Sequence, residues 1–389
     1  MSDRTALMDS LQHIVAAEPA LADDPTALVA RIRQEAGVIS NAEVLDILRQ
    51  LRNETRGLGQ LDGLLSAKGV TDIVVNGPDS VFVDRGQGLE KADVSFADDM
   101  EVRRLATRLA VGCGSRLDDA QPFANGRIPR DDGTSLRIHA MLAPPAGNGT
   151  CLSVRVLRQH AATLKALAAN DTISPAIARV LRAMVDKRIS FLVIGGTGSG
   201  KTTLLSALLG AVGPTERILI IEDTAELRPT HPHTVTLVSQ QANAEGEGEI
   251  TMAELLRQAL RMRPDRIVVG EIRGREVVDL LAALNTGHDG GAGTLHANSL
   301  TEVPARMEAL AALGGLGRDA LHAQLAAAVD VVLTMRRGPD GVRRLTEIGV
   351  LHGNPVEASA VWSLDDGPQP GYEKFLGRLG LATNEVAAK

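Results

Sequence analysis

The chain is poor in rings, thiols and long apolar runs. Its 389 residues include five Phe, one Trp and one Tyr, too few for the stacked aromatic platform that holds single-stranded nucleic acid. Cys113 and Cys151 are its two cysteines. Two cannot staple a disulfide scaffold, and they fit a reducing compartment. Positive charge is not in excess either: 41 Lys and Arg against 48 Asp and Glu leave −7. That balance excludes a protein that coats DNA in bulk, and no direct nucleic-acid contact is expected, although a local basic channel stays possible. No run of about 18 apolar residues occurs, and MSDRTALMDSLQHIV has no signal-peptide apolar core. A cytoplasmic protein that meets membranes only through partners is the expectation. What the chain does have is 44% hydrophobic residues and 23% charged ones, enough for real cores and for two or three domains.

Residues 1–55 read as a helical subdomain. Leu7, Leu11, Ile14 and Val15 share one helix face, as do Leu28, Ile32 and Ala36. Ser40 with Glu43 forms a capping box ahead of Val44, Ile47, Leu48 and Leu51. From 60 to 158 the texture becomes α+β: strands over Ile73–Val75 and Val81–Val83, a helix near 99–110, and strands over Leu136–Ala140 and Leu152–Val156. A polar linker is expected over 159–173. From 174 to 345 strands alternate with helices, the pattern of a parallel sheet with crossovers. Ser174-Pro175 opens the first of these helices. Ile189–Ile194, Arg217–Ile221 and Arg266–Val269 are nearly continuous apolar runs, as strands buried on both faces require. Residues 346–389 read as a tail without a site.

The strongest signal is Gly195-Gly196-Thr197-Gly198-Ser199-Gly200-Lys201-Thr202, followed by Thr203. It satisfies GxxxxGK[ST], lies after an apolar strand, and opens a helix carrying Leu204, Leu205 and Leu208. Glycines let backbone N–H groups turn around a β-phosphate while the helix aims its positive end at the anion. Lys201 is placed to reach the β/γ oxygens, and the Thr202 hydroxyl to hold Mg²⁺.

Acids follow at the carboxyl ends of the next strands: Glu222 and Asp223, then Glu226, and later Glu271. In an open parallel sheet those ends converge on one edge, where carboxylates can orient metal-bound water or polarise an attacking one. Glu222 or Glu226 could instead cap a helix. The strand bearing Glu271 ends Val-Val-Gly-Glu, so Gly270 stands where an Mg²⁺-holding Asp is usual. Metal would then rest on Thr202, the phosphates and water held by Glu271 and Glu222. His288 and His296 lie eight residues apart, with no cysteine or third histidine to complete a zinc set. A γ-phosphate or water sensor is the better reading, with a core histidine satisfied by backbone as the alternative for His288. Ser299 with Glu302 reads as another capping box, His231 and His233 as structural, and Gln240–Glu249 as a solvated loop.

Four segments in this order, GGTGSGKTT, IIEDTAEL, LRMRPDRIVVGEIRG and LNTGHDGGAGTLHANS, resemble the Walker A, Asp, Walker B and His boxes of the type II/type IV secretion ATPases. The resemblance is to the tight-adherence pilus branch typified by CpaF. It extends upstream through LLSAKGVTDIVVNGPDSVFVDRGQGLEK and LSVRV, and covers roughly residues 60–345. It implies an α/β fold: a RecA-like P-loop NTPase domain preceded by a smaller α+β, PAS-like domain and a short helical segment. It further implies ATP and Mg²⁺ as ligands, a homohexameric ring, and inner-membrane platform proteins as partners at the cytoplasmic membrane face. Arg127 in GRIPRDDG and Arg137 in SLRIHA match the family's paired arginines, and Arg155 is a third candidate. Guanidinium forks there would neutralise charge on the transferring phosphoryl group. Two departures stand out: a short insertion between Arg127 and Arg137, and Gln240 where relatives often carry Arg.

The function so implied is an ATPase motor for pilus assembly, retraction or secretion. Its catalytic set is Glu271, Glu222, Lys201, Arg127, Arg137 and His296. A conjugation or DNA-export motor of the same superfamily is the alternative. A nucleotide-gated scaffold that seldom hydrolyses ATP is a second, and a RecA-like helicase is disfavoured by charge and ring content.

Overall fold

The computed structural model describes residues 57–386 other than 68, 87, 131–133, 158–161, 241 and 243–246, together with 7, 10, 11, 14, 25–36, 39, 40, 43, 44 and 47. Val15, Leu48 and Leu51 lie outside the described residues, as does part of the 240–249 loop. The chain divides into two compact units, 1–158 and 159–389. No helix among the described residues is long and apolar enough to cross a membrane.

In the first unit, helix α1 (Pro25–Ala36) buries Leu28 and Ile32 in a small cluster with Leu11, Val44 and Ile47. The Ser40 hydroxyl accepts from the Glu43 N–H while Glu43 accepts from the Ser40 N–H, the two halves of a capping box. Next comes a six-stranded antiparallel sheet made of β1 (Asp72–Asn76), β2 (Val81–Asp84), β3 (Leu89–Lys91), β4 (Phe123–Pro129), β5 (Ser135–Met141) and β6 (Cys151–Leu157), in the order β3-β2-β1-β6-β5-β4. Helix α2 (Asp99–Gly112) starts on Asp98, whose side chain accepts from the Glu101 N–H. Alternation does the sorting here. Ile73, Val75, Leu136, Ile138, Leu152 and Val154 face a core shared with Val102, Leu105 and Leu109 of α2, and the intervening residues face away from it. Strand β4 was not among the expected strands. Its sequence, FANGRIP, carries a glycine and a terminal proline, and an edge strand tolerates both.

The second unit contains α3 (Leu164–Ala169), α4 (Pro175–Asp186), β7 (Phe191–Ile194), α5 (Lys201–Gly210), β8 (Ile218–Glu222), β9 (Thr234–Val238), α6 (Met252–Ala259), β10 (Arg266–Ile272), α7 (Glu276–Leu284), β11 (Ala292–Leu295), α8 (Val303–Leu313), α9 (Arg318–Ala328), β12 (Val331–Arg337), β13 (Arg343–His352), β14 (Glu357–Ser363), β15 (Gly367–Pro368), α10 (Tyr372–Leu379) and α11 (Thr383–Val386). Its nine-stranded sheet runs β15-β14-β13-β12-β7-β11-β10-β8-β9. The strands from β12 to β9 in that order are parallel, and β13 to β15 join antiparallel. All four residues of β7 and all five of β8 are buried, because helices cover both faces: α4, α5 and α10 on one, α6 to α9 on the other. Burying each such aliphatic side chain contributes about 1.5–3 kcal/mol before entropy is counted. The fold is α/β, as the motifs imply.

Three readings need revision. The boundary expected at 345 falls inside β13, and residues 346–389 complete the sheet and pack Tyr372, Phe375, Leu376 and Leu379 into the core. The segment 159–173 holds α3, capped by Thr163, rather than linker alone. Ser299 caps nothing with its side chain: a 3-10 turn over Leu300–Glu302 intervenes, and Glu302 accepts from Asn298 instead.

Candidate nucleotide site

Strand order creates the site. The P-loop follows β7, β11 lies beside β7, and β10 lies beyond β11. The carboxyl ends of these parallel strands therefore place Gly195, His296 and Glu271 along one edge, with Glu222 at the end of β8 next in line. Gly195 has φ +145, and a Cβ there would come within 2.2 Å of the Met335 carbonyl. Gly200 caps α5 in the left-handed region at φ +98. Side chains at either position would break the turn. The Lys201 ammonium donates to the Gly195 and Gly196 carbonyls at 2.9 and 3.0 Å. Burial pushes its pKa down, opposed by the charge of Glu271. Thr202 and Thr203 occupy the first turn of α5.

Glu222 is 3% exposed. Its Oε1 accepts the Glu226 and Leu227 N–H groups at 2.9 and 3.0 Å, while Oε2 is buried without a partner. Burial raises the carboxyl to about 7 against the pull of those two hydrogen bonds. The substitution of glycine for the usual acid at 270 now has a physical reason. A Cβ on Gly270 would sit 2.5 Å from Glu222 Cγ, so the Glu222 side chain lies over the place an Asp at 270 would fill. Glu226 itself is exposed at the mouth of the following loop.

Glu271 has a side-chain neighbour on each oxygen, a hydrogen bond on Oε2 and a close approach on Oε1, which has no hydrogen-bond partner. His296 Nε2 lies 2.7 Å from its Oε1, and Arg273 donates to Oε2. The same guanidinium donates to Asp223 at 2.9 Å, which links the two acidic loops. Hydrogen bonding to Glu271 holds the Arg273 pKa up. Burial, then Lys201, pushes the His296 pKa down, so a neutral imidazole is favoured near pH 7. A cleft of about 310 Å³ beside this group is lined by Glu271, Arg273, His296 and Arg306 among others. A larger groove of about 630 Å³ lies at the far end of α5 and includes neither Glu222 nor Glu271 in its lining.

His288 does not join them. It precedes β11, at the opposite end of that strand from His296, and its Nδ1 lies 3.1 Å from the Ala283 carbonyl. Backbone satisfaction is its role. His231 and His233 are likewise engaged structurally, with the Gly213 carbonyl and with Arg217. Among the described residues no cluster of His, Cys, Asp or Glu makes a metal cage. The donor set instead fits a metal held through a phosphate: the Thr202 hydroxyl, the partnerless Glu222 Oε2, and the Ser199 hydroxyl, also buried without a partner.

The three arginines belong to the first unit, where they stand in register. Arg127 pairs opposite Arg137, and Arg137 opposite Arg155, on the sheet face away from α2. Asp72 continues the row and accepts from Arg155 at 2.9 Å. Arg127 donates to the Ser135 hydroxyl. Like charges directly opposite across strands repel, and Asp72 at the end of the row offsets the charge of Arg155. Between Arg127 and Arg137 lie the end of β4 and the start of β5, and residues 131–133 lie outside those described. Gln240 bridges to Ile250.

Two residues were not anticipated. Arg273 stands inside LRMRPDRIVVGEIRG, where its spacing two positions after Glu271 is the available signal. Arg343, on β13, donates to the Gly198 carbonyl at 2.9 Å, and nothing in its local sequence points to the P-loop 145 positions away.

A family model described as Type II/IV secretion system protein matches residues 54–345. The chain belongs to that family. A Mycobacterium tuberculosis protein whose name assigns it to conjugal transfer is 58% identical over 334 residues, 85% of this chain and 95% of that one. The conjugal transfer protein TrbB of Rhizobium radiobacter is 31% identical over 310 residues, 78% of this chain and 91% of its own. In fold, the chain is similar to the pilus retraction motor PilT with bound ADP, at a TM-score of 0.56 and 20% identity, covering 85% of this chain and 91% of that chain. It is also similar to the ATPase DotB of Legionella pneumophila, at 0.52 and 18%, covering 81% and 82%.

Proposed function

We propose that the protein is an ATPase motor that hydrolyses ATP to ADP and phosphate and drives a secretion or pilus machine at the cytoplasmic membrane face. The observation that carries this reading is the convergence of Lys201, Glu271, His296 and Glu222 on one sheet edge beside a P-loop. Bound Mg-ATP supplies the phosphoanhydride to be cleaved and the metal that neutralises its charge. Backbone N–H groups of Gly196–Thr202 and the Lys201 ammonium hold the phosphates. Thr202, Glu222 and Glu271 are the residues that would hold Mg²⁺, directly or through water.

Of the two acids, Glu271 is assigned to orient the attacking water. It is the one that accepts a side-chain hydrogen bond, from Arg273, and that has His296 within 2.7 Å, so both can adjust its position. Glu222, raised to about 7 by burial, is partly protonated at neutral pH, and a cation bound nearby would favour its ionised form. His296 senses the γ-phosphate or the water. The row of Arg127, Arg137 and Arg155 stabilises charge on the transferring group, and the full reading is a homohexamer with inner-membrane platform partners.

The four sequence boxes support work in a tight-adherence pilus. The names of the 58% and 31% identical relatives support a second reading, a conjugation motor. Turnover of the purified protein with and without single-stranded DNA separates them: stimulation by DNA favours conjugation, and indifference favours the pilus. A protein that binds Mg-ATP without turnover would be a nucleotide-gated scaffold instead. Loss of turnover in Lys201→Ala is expected, and undiminished turnover in that variant would remove the site assignment.

A further inference from the structure

The hairpin of β12 and β13 runs past the end of β7 and reaches the phosphate loop. Strand β12 pairs with β7 from Val331 to Thr334, so Met335 and the residues beyond it extend past Ile194 towards Gly195. The Met335 carbonyl is the atom that makes glycine necessary at 195, and the Arg343 side chain packs 3.2 Å from where a Cβ on Gly200 would stand. Four arginines sit on this hairpin. Arg344 pairs with Asp340 and Arg336 lies 3.8 Å from Glu347. Arg337 stands opposite Arg343 in register and donates to the Gly341 carbonyl. Arg343 donates its Nε–H to the Gly198 carbonyl, and no carboxylate among the described residues pairs with it.

We propose that Arg343 is a positioning residue for the phosphate loop: it pins the Gly198–Ser199 peptide in the orientation that accepts an anion. In a planar trans peptide the carbonyl and the next N–H point in opposite directions. Holding the Gly198 carbonyl towards β13 turns the Ser199 N–H into the loop, where it closes a turn on the Gly196 carbonyl at 3.4 Å. Gly198, at φ +71, has no Cβ to resist a flip of this peptide. A flipped peptide would aim a carbonyl oxygen at the phosphates and break the Ser199–Gly196 turn that shapes the loop. The guanidinium is always charged, and without a carboxylate beside it the charge adds to that of Lys201 at the anion site.

This inference rests on the nucleotide reading, and its test separates the two. Hydrogen exchange at Ser199 and Gly200 is measured without nucleotide in wild type and Arg343→Ala, and Mg-ADP affinity is measured by calorimetry in both and in Arg343→Lys. Faster exchange at those two amides in Arg343→Ala is expected, with Mg-ADP binding weaker by about tenfold, the size of one charge-assisted hydrogen bond. Arg343→Lys should recover most of that affinity. Melting temperatures without nucleotide should match, since Arg343 is exposed. Unchanged exchange at Ser199 and Gly200, or wild-type affinity in Arg343→Ala, would overturn the proposal. A wild-type protein that binds no Mg-ADP would instead overturn the nucleotide reading, while the exchange comparison still decides whether the pin exists.

Discussion

Glu222 couples folding to pH in a direction opposite to most carboxylates. An ordinary Glu titrates near 4.5, and burial raises this one to about 7. A raised acid is favoured by folding in its neutral form. Its contribution is therefore fully present below the unfolded value and is lost as pH rises through the folded one. Between about pH 4.5 and pH 7 the linked change grows to about 3 kcal/mol, taking 1.36 kcal/mol for each pH unit of separation. With 3% exposure, solvent screening removes little of it. The perturbation is Glu222→Gln, which keeps an oxygen for the Glu226 and Leu227 N–H groups and removes the titration. The assay is urea unfolding of both proteins from pH 5 to pH 8.5 without nucleotide. Wild type should lose stability relative to the variant as pH rises, by about 2–3 kcal/mol over the range. A difference that stays flat, or that grows in favour of wild type, would refute the reasoning about how this carboxyl is held.

Other expectations follow from single contacts. Gly270→Ala places a methyl 2.5 Å from Glu222 Cγ and should cost about 1–3 kcal/mol by thermal melting, an effect largely absent in a Glu222→Ala background. His288→Ala should leave turnover at the wild-type level, because the ring contacts the Ala283 carbonyl at the far end of β11. Arg137→Ala should keep Mg-ADP affinity in calorimetry while lowering kcat by about a hundredfold or more. Equal loss of both would place Arg137 in binding rather than in transition-state stabilisation.

How legible each feature was depends on where its physics lies. The P-loop could be read because phosphate binding confines its residue types to one contiguous segment, and the buried strand before it, FLVI, shows its state in composition alone. Glu271 and Glu222 could be found because parallel strands end on one edge. His288 and His296 illustrate the limit. The four-residue strand between them, Ala292–Leu295, rises about 13 Å at roughly 3.3 Å per residue, so nearness in sequence put one histidine at the site and the other at the opposite end of the strand. The reason for Gly270 was illegible because it belongs to a side chain on a neighbouring strand. Arg343 was illegible for the same cause, since its partner is the Gly198 carbonyl. The strands after 345 were missed because their short runs alternate and are broken by turns, and they become strands by joining an existing sheet edge.

The central claim, that this edge hydrolyses ATP, is tested most directly by the specific rate of Mg-ATP hydrolysis in wild type, Lys201→Ala and Glu271→Gln. The rate is followed across a range of protein concentrations. The account expects turnover in wild type alone, rising with concentration as subunits complete a ring, with Glu271→Gln still binding Mg-ATP. Hydrolysis undiminished in both variants would contradict it.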